Sequence, residues 1–458
     1  MRAAHKIDAT QGSILKNLIL FAVPIAIGSL VMTLFNAADM MVLGNFADST
    51  AVASVGATSV ITTLVVFSAV GLSAGTQVVL AQAIGEKNSS KIRKAVDTSL
   101  LLAFFLGIVL VLVGLFCSRW FLTITKCPSE CIDDAALYLK IYIASSPAFL
   151  VYNYGVAIIR ASGEFRRPLY YIIASGALNV ILNFILCFVM QNKVAAVAIA
   201  TFASQVLGAF LVIYYLIKTD DECKVIFRQM RFDFGVLKKI LFIGIPSAIN
   251  VSLFSISNLQ IQSAINSFGP SAIAGNTSAS NIEGLVSSFT SALSSATLTF
   301  MGQNIGAKNR ERIRLSLAHG LWTSLTIGIA LGLGFFALGR PILSLYLPSD
   351  AAAVEVGLLR MKFVLAIFAL AAYKTIIATA LQAFGYAFIP TCNSILSVLV
   401  LRIIWMAFIY PHFQSLENLY FCYTVSWIIE SVIATTAFII IYRAKMNKKN
   451  FISEKAVI

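Results

Sequence analysis

The sequence predicts an all-α membrane protein: twelve transmembrane helices in two six-helix bundles, related by a pseudo-two-fold axis along the membrane normal. Three observations predict it. Hydrophobic residues make up 59 % of the 458 and charged residues 12 %, against about 45–50 % and about 25 % in soluble domains. Apolar runs long enough to cross a hydrocarbon core of about 30 Å recur along the whole chain, and the mean hydropathy is +0.87. Landmarks of the first half return 221 or 222 residues later. This composition excludes a soluble multidomain enzyme, a disordered chain and a secreted disulfide scaffold.

In order, the apolar runs place helices at 15–43, 51–82, 95–117, 135–159, 168–190, 194–217, 240–266, 271–302, 316–339, 355–383, 390–411 and 420–442. The first, second, eighth and tenth exceed the bilayer core, so they must tilt, kink or protrude. Pro24 and Pro246 each sit about ten residues into a span, where proline frees a carbonyl and permits a bend. The first run is too long for a cleavable secretory signal and lacks a small-residue cleavage site. The expected organisation is a first half over 1–217, a linker loop over 218–239, a second half over 240–445 and a tail over 446–458.

The net charge of +14 reports topology rather than a nucleic-acid partner. Lys and Arg divide between the two sides at about 25 to 7, a strong positive-inside bias. Both termini, the linker and the loops at 87–94 and 308–314 are thereby expected in the cytoplasm, in a plasma (inner) membrane. Most of the seven cysteines lie in apolar runs and read as small hydrophobes. Cys127 and Cys131 share a polar loop and can bridge if it faces an oxidising space.

The repeat is explicit. Leu15–Pro24 resembles Leu237–Pro246, Ala51-Val52-Ala53 matches Ala272-Ile273-Ala274, and Gln82-Ala83-Ile84-Gly85 matches Gln303-Asn304-Ile305-Gly306. Gly163 and Pro168 match Gly385 and Pro390. Six spans per repeat put both halves in the membrane in the same orientation. Parallel repeats of this kind are a transporter architecture, with the substrate path at the repeat interface.

Gly71-Leu-Ser73-Ala-Gly75 fits a hydrolase nucleophile pattern, but it falls mid-helix and none of His5, His319 or His412 sits in an expected core position. Small residues four apart read instead as close helix packing. No phosphate-binding loop or metal-spaced Cys/His cluster occurs in the sequence, and no cofactor is expected. Asn-x-Ser/Thr matches at 88, 250 and 276 fall in spans or on the cytoplasmic side, so glycosylation is not expected.

Asp39 lies inside the first apolar run. A carboxylate in a span costs about 2.5–3.5 kcal/mol on insertion scales, and something must offset that. Burial favours the protonated form of a carboxyl and a bound cation the ionised form, which is what ion-coupled transport needs. Asn36 shares its helix face. Asn179 and Asn183 are four apart in the fifth span, Thr201 and Gln205 in the sixth, and Asn153 lies in the fourth. A cluster of these around Asp39 would satisfy the buried amides and offer oxygen ligands to a hard cation. In the second half Asn36 pairs with Asn258, but Asp39 pairs with Ile261, so the carboxylate is not duplicated. Arg402 and Glu430 fall at similar depth in adjacent spans and are expected to pair. Asn153, Gln205, Asn258, Glu283, Tyr373 and Lys374 are expected to line the substrate cavity, where Glu283 would attract cations. Met32, Phe35, Phe149, Phe254 and Phe289 are candidates for an apolar cargo wall, although most such residues merely pack.

A proline in the first span, Asp39 with Gly44, Gln82-Ala-Ile-Gly85, Arg160-Ala-Ser-Gly163 leading to Pro168, Leu178-Asn179 with Asn183, and Gly302-Gln-Asn-Ile-Gly-Ala307 together resemble the multidrug and toxic compound extrusion (MATE) family. The resemblance covers nearly the whole chain. It implies a non-enzymatic secondary antiporter that exports cationic or amphipathic drugs in exchange for inward H+ or Na+. Two halves would rock about a central cavity in a monomer embedded in lipid. It maps the family's ion-responsive network, a candidate Na+ site included, onto Asp39, Asn179 and Thr201. Where some members carry an acidic residue in the fifth span this chain has Asn183, and it has Phe254-Ser255 and Tyr373-Lys374 near other members' acidic positions. Relatives that flip lipid-linked oligosaccharide precursors share the architecture; a very basic cavity would favour that alternative.

Overall fold

The computed structural model describes residues 6–46, 49–125 and 127–446, apart from the side chains at 36, 40, 43, 49, 60, 67, 254–256, 259 and 446. Every regular element among them is helical. In chain order the long passages are α1 (Ile14–Phe46), α2 (Thr50–Gly85), α3 (Ser89–Ile124), α4 (Ile132–Ala144 and Ser146–Ala161), α5 (Arg167–Val189) and α6 (Lys193–Lys218). Then come α7 (Phe234–Asn266), α8 (Pro270–Gly306), α9 (Arg310–Ala337), α10 (Ala351–Val364 and Phe368–Ala383), α11 (Phe388–His412) and α12 (Leu416–Met446).

Nine of these contain a stretch long and apolar enough to cross a membrane, and the bent pairs α4 and α10 bring the number to 11. The remaining passage, α8, is 37 residues long but rich in Ser, Thr and Asn. Its polar residues Asn276, Thr290, Thr297, Gln303 and Asn304 are buried. Such a helix is solvated by its neighbours rather than by lipid, and its small side chains let them approach closely.

The sequence reads α4 and α10 as continuous; both are broken, each by 45°. In α4 the second segment carries Pro147 in its first turn, and proline cannot donate to the preceding turn. In α10 no proline is present. There the Met361 carbonyl accepts both the Leu365 and Ala366 N–H groups, a widened turn that lets the axis swing. α11 departs from α-helix too, with π turns at Ile395–Val400 and Trp405–Ile409 on either side of Leu401–Ile404.

The duplication extends to backbone conformation. Lys87 and Lys308 both adopt a positive φ, 53° and 55°. Asn88 and Asn309 follow them and cap α3 and α9 by accepting the Lys91 and Arg312 N–H groups at 3.0 and 3.1 Å. Gly163 and Gly385 sit at φ 86° and 89°, a region glycine enters without a Cβ penalty. The breaks in α4 and α10 also correspond. Asp350 caps α10 through the Ala353 N–H at 2.9 Å, and that bond holds its carboxyl below the usual carboxylate range.

Two compact units emerge. One contains Ile27–Gly244 and the segment ending at Ile7; the other contains Asp8–Ala26 and the chain from Ile245 onward. The first part of α1 therefore packs in the second unit, where Phe21 meets Phe300 edge to face at 6.0 Å. From Ile27 the helix packs in the first, where Gly28 lies against Ile172 and Leu169. The hydrolase-like pattern resolves as packing: a Cβ on Gly75 would strike the Ile240 carbonyl. All seven cysteines are free, Cys127 and Cys131 among them.

The tightest crossing in the second unit is α8 on α10. A side chain at Gly275 would run into the Ala353 carbonyl and the Gly357 backbone. Backbone cannot yield as a flexible side chain can, so Gly275→Val exceeds the about 1–3 kcal/mol typical of overpacking. We expect it to abolish the monodisperse peak in detergent size-exclusion chromatography. Gly284→Ala on the same helix meets open space and should leave the peak intact; equal yields for both would refute the crossing.

Candidate functional site

Asp39 lies five residues from the position where α1 carries Gly44 and faces α5. The approach is set one turn away, where Gly176 leaves room for the Phe35 ring; a Cβ there would overlap it. That contact brings the next turns together. Asn183, fully buried, donates Nδ2–H to Asp39 Oδ1 at 2.6 Å. Asn179, one turn earlier, turns its amide nitrogen to the same carboxylate, 2.5 Å from Oδ1 and 3.0 Å from Oδ2. The opposite orientation would set oxygen against oxygen. Among the described residues no Lys, Arg or His forms an ion pair with Asp39. The Asn183 Oδ1 is buried without a hydrogen-bond partner there.

A half-buried carboxylate whose donors among the described residues are neutral carries a charge that a proton or a small cation can neutralise. The amide oxygens of Asn179 and Asn183 are hard donors, and each amide must rotate to present its oxygen to an ion held by the carboxylate. Of the wider cluster expected around Asp39, Thr201, Asn153 and Gln205 form no hydrogen bond with the carboxylate among the described residues. Thr201 gives its hydroxyl to the Val197 carbonyl in its own helix at 3.0 Å, the usual way a helical Thr satisfies itself. Asn153 likewise donates to Phe149 at 2.8 Å, and Gln205 accepts from Ser145 at 2.5 Å. The Asn36 side chain lies outside the described residues, as do those of Phe254 and Ser255.

In the second unit the counterpart of Asp39, Ile261, is fully buried, and charge gathers elsewhere. Glu283 is not a free attractor of cations: Arg360 donates Nη2–H to it at 2.6 Å. The same guanidinium reaches Asn276 at 2.6 Å and Ser280 at 3.3 Å and lies over the rings of Tyr420 and Tyr423 at 5.9 and 5.4 Å. The sequence reading counts Arg360 among the outer-side charges, near the start of the span at 355–383. The available signal was the stripe Asn276, Ser280, Glu283 on one face of α8, which calls for a cation from a facing helix.

The expected Arg402–Glu430 pair is also corrected. Arg402, fully buried, donates to Asn258 at 3.0 Å, Ser257 at 3.2 Å and Ser426 at 3.4 Å, and stacks on Tyr423 at 4.2 Å. Glu430 instead takes Lys374, with Nζ 2.5 Å from Oε2, and Ser394 at 2.8 Å. Glu430 lies one turn beyond Ser426 on α12, so the residue opposite Arg402 is the serine. Asn258 also accepts from Tyr423 at 3.3 Å, and Tyr373 shares a hydrogen bond with Thr435 at 2.8 Å. Of the candidate wall, Met32 is exposed and Phe149 is buried.

The MatE family model matches residues 24–185 and then 246–408, which repeats the 222-residue offset. The chain is 26 % identical over 417 residues to the probable multidrug resistance protein YoeA of Bacillus subtilis, covering 90 % of each. It is 26 % identical over 358 residues to the probable multidrug resistance protein NorM of Thermotoga maritima, covering 76 % of this chain and 75 % of that one. It superposes with a TM-score of 0.90, at 20 % identity, on a multidrug resistance MATE family transporter of the MOP superfamily solved in an outward-facing conformation. That match spans 98 % of this chain and 100 % of the other and shares its fold. With the family pattern matched twice over most of the sequence, the chain belongs to the MATE family of membrane efflux transporters and is not an enzyme.

Proposed function

We propose that this protein is a secondary antiporter of the plasma membrane that exports cationic or amphipathic organic compounds in exchange for inward H+ or Na+. The observation that carries the reading is Asp39: a carboxylate inside a membrane helix, held by two amides and, among the described residues, by no cationic side chain. Relatives named as multidrug resistance proteins support the cargo class. The bias of Lys and Arg supports cytoplasmic termini.

In the proposed cycle Asp39 takes up a proton or Na+ from outside. Neutralising the carboxylate removes the reason for Asn179 and Asn183 to point at it, and the hold of α5 on α1 changes. Pro24 lies just before the point at which α1 passes from one unit's packing to the other's, so the proline offers a hinge for that change. Cargo leaves outward, the ion leaves inward, and two halves alternate in access as a monomer. Arg360 and Lys374 are each neutralised by a carboxylate, which gives polyanionic cargo little to bind and speaks against flipping of lipid-linked oligosaccharides.

The test is efflux of a cationic dye from proteoliposomes under a proton gradient and a sodium gradient applied separately. We expect one gradient to drive efflux and thereby to name the ion. Absence of efflux for every cationic dye under both gradients would sink the proposal.

A further inference from the structure

The pair formed by Lys374 and Glu430 has no part in the Asp39 cycle. It joins α10 to α12 in the second unit, with Nζ 2.5 Å from Oε2. The other carboxylate oxygen accepts from Ser394 Oγ at 2.8 Å, and Asn393 holds the Glu430 backbone carbonyl at 2.8 Å. The ammonium also stands 5.8 Å from the Trp427 ring centroid. That indole is 2 % exposed, and its N–H has no acceptor among the described residues. The two charged side chains retain 14 % and 10 % exposure, so the pair is not sealed.

Carboxylate and aromatic face make a receptor for an organic cation, and Lys374 occupies it. A buried ion pair is weak support for stability, because well-packed apolar residues often do as well or better. Its cost is greater still within a membrane span.

We propose that Lys374 is a tethered stand-in for cargo: an organic cation displaces its ammonium from Glu430 and Trp427, and Lys374 then releases a proton. This rests on the export reading above. The balance is simple. The ammonium–carboxylate pair plus one cation gives the carboxylate paired with that cation, a neutral Lys374 amine and one free H+. One N–H bond breaks, and its electron pair stays on Nζ. The site is neutral in both states, so electroneutrality in a low-dielectric span exchanges one cation for one proton. Arginine in its place would keep its proton, so the exchange requires lysine.

Several other ionisable groups lie on the elements packed against the pair. Tyr373 is bonded to Thr435, Glu283 is paired with Arg360, and Tyr423 stacks on Arg402. Neither these nor Cys392 on α11 and His319 on α9 form a hydrogen bond or ion pair with Lys374 or Glu430 among the described residues.

The experiment titrates the full-length protein in detergent with tetraphenylphosphonium, in weak buffer with a pH indicator, with binding read by equilibrium dialysis. The Asp39→Asn background removes Asp39 as a source of exchanged protons. There we expect about one proton released per cation bound. Adding Lys374→Arg, which keeps the ion pair, should weaken binding at least tenfold and abolish the release. If the double variant binds and releases as Asp39→Asn does, the proposal is overturned while the export reading stands. If wild-type protein binds no tetraphenylphosphonium, both fall. Should Lys374→Arg fail to fold, Glu430→Gln in the same background takes its place; undiminished binding and release there would equally overturn the proposal.

Discussion

Asp39→Asn reduces ion-driven dye efflux to the level of empty liposomes while leaving the protein folded. Asn is nearly isosteric with Asp, so the packing of α1 on α5 at Phe35 and Gly176 is undisturbed. The variant loses charge-assisted hydrogen bonds from Asn179 and Asn183, each worth about 1.5–3 kcal/mol against about 0.5–1.5 for a neutral bond. It also escapes the about 2.5–3.5 kcal/mol cost of a carboxylate in a span. These terms nearly cancel, and we expect a melting temperature in detergent close to that of the wild type. Transport has no such compensation, because an amide cannot take up a proton or give it back. Normal gradient-driven efflux by a well-folded Asp39→Asn protein would remove this residue from the coupling mechanism.

Arg360→Ala has the largest expected effect on stability. The guanidinium is buried and joins α10 to Glu283, Asn276 and Ser280 on α8 and to two tyrosine rings on α12. Removing one partner of a buried pair costs about 3–5 kcal/mol, because the other charge is left unpaired. We expect low yield and a large fall in melting temperature. Glu283→Gln introduced together with Arg360→Ala should recover a substantial part of the loss, since no orphan carboxylate then remains. A single Arg360→Ala variant as stable as the wild type but inactive in efflux would instead give Arg360 a role in handling cargo.

The candidate coupling site was partly legible before the structure. Asp39 declares itself because a carboxylate in an otherwise apolar run needs a reason, and Asn179 and Asn183 declare themselves by their four-residue spacing. Thr201, Asn153 and Gln205 looked equivalent from the sequence. Yet a hydroxyl or amide on a helix can turn to its own backbone, as Thr201 and Asn153 do. Residue type alone does not distinguish a ligand from a self-satisfied side chain.

Composition and spacing along the chain by themselves determined the membrane class, the succession of long apolar helices and the 222-residue duplication, because each is a property of local sequence. They also determined that one half carries a carboxylate that the other lacks. Which charges meet in the second half was decided only by the tertiary structure. Helical side chains rotate about 100° per residue, so the π turns flanking Arg402 and the 45° break in α10 redirect whole faces without a strong signature in residue type. Arg402 thus meets Ser426, Lys374 reaches Glu430, and Arg360 turns from the start of its span to neutralise Glu283. In a low-dielectric interior each charge must find a partner, but the partner is chosen by the rotation and curvature of helices packed in three dimensions.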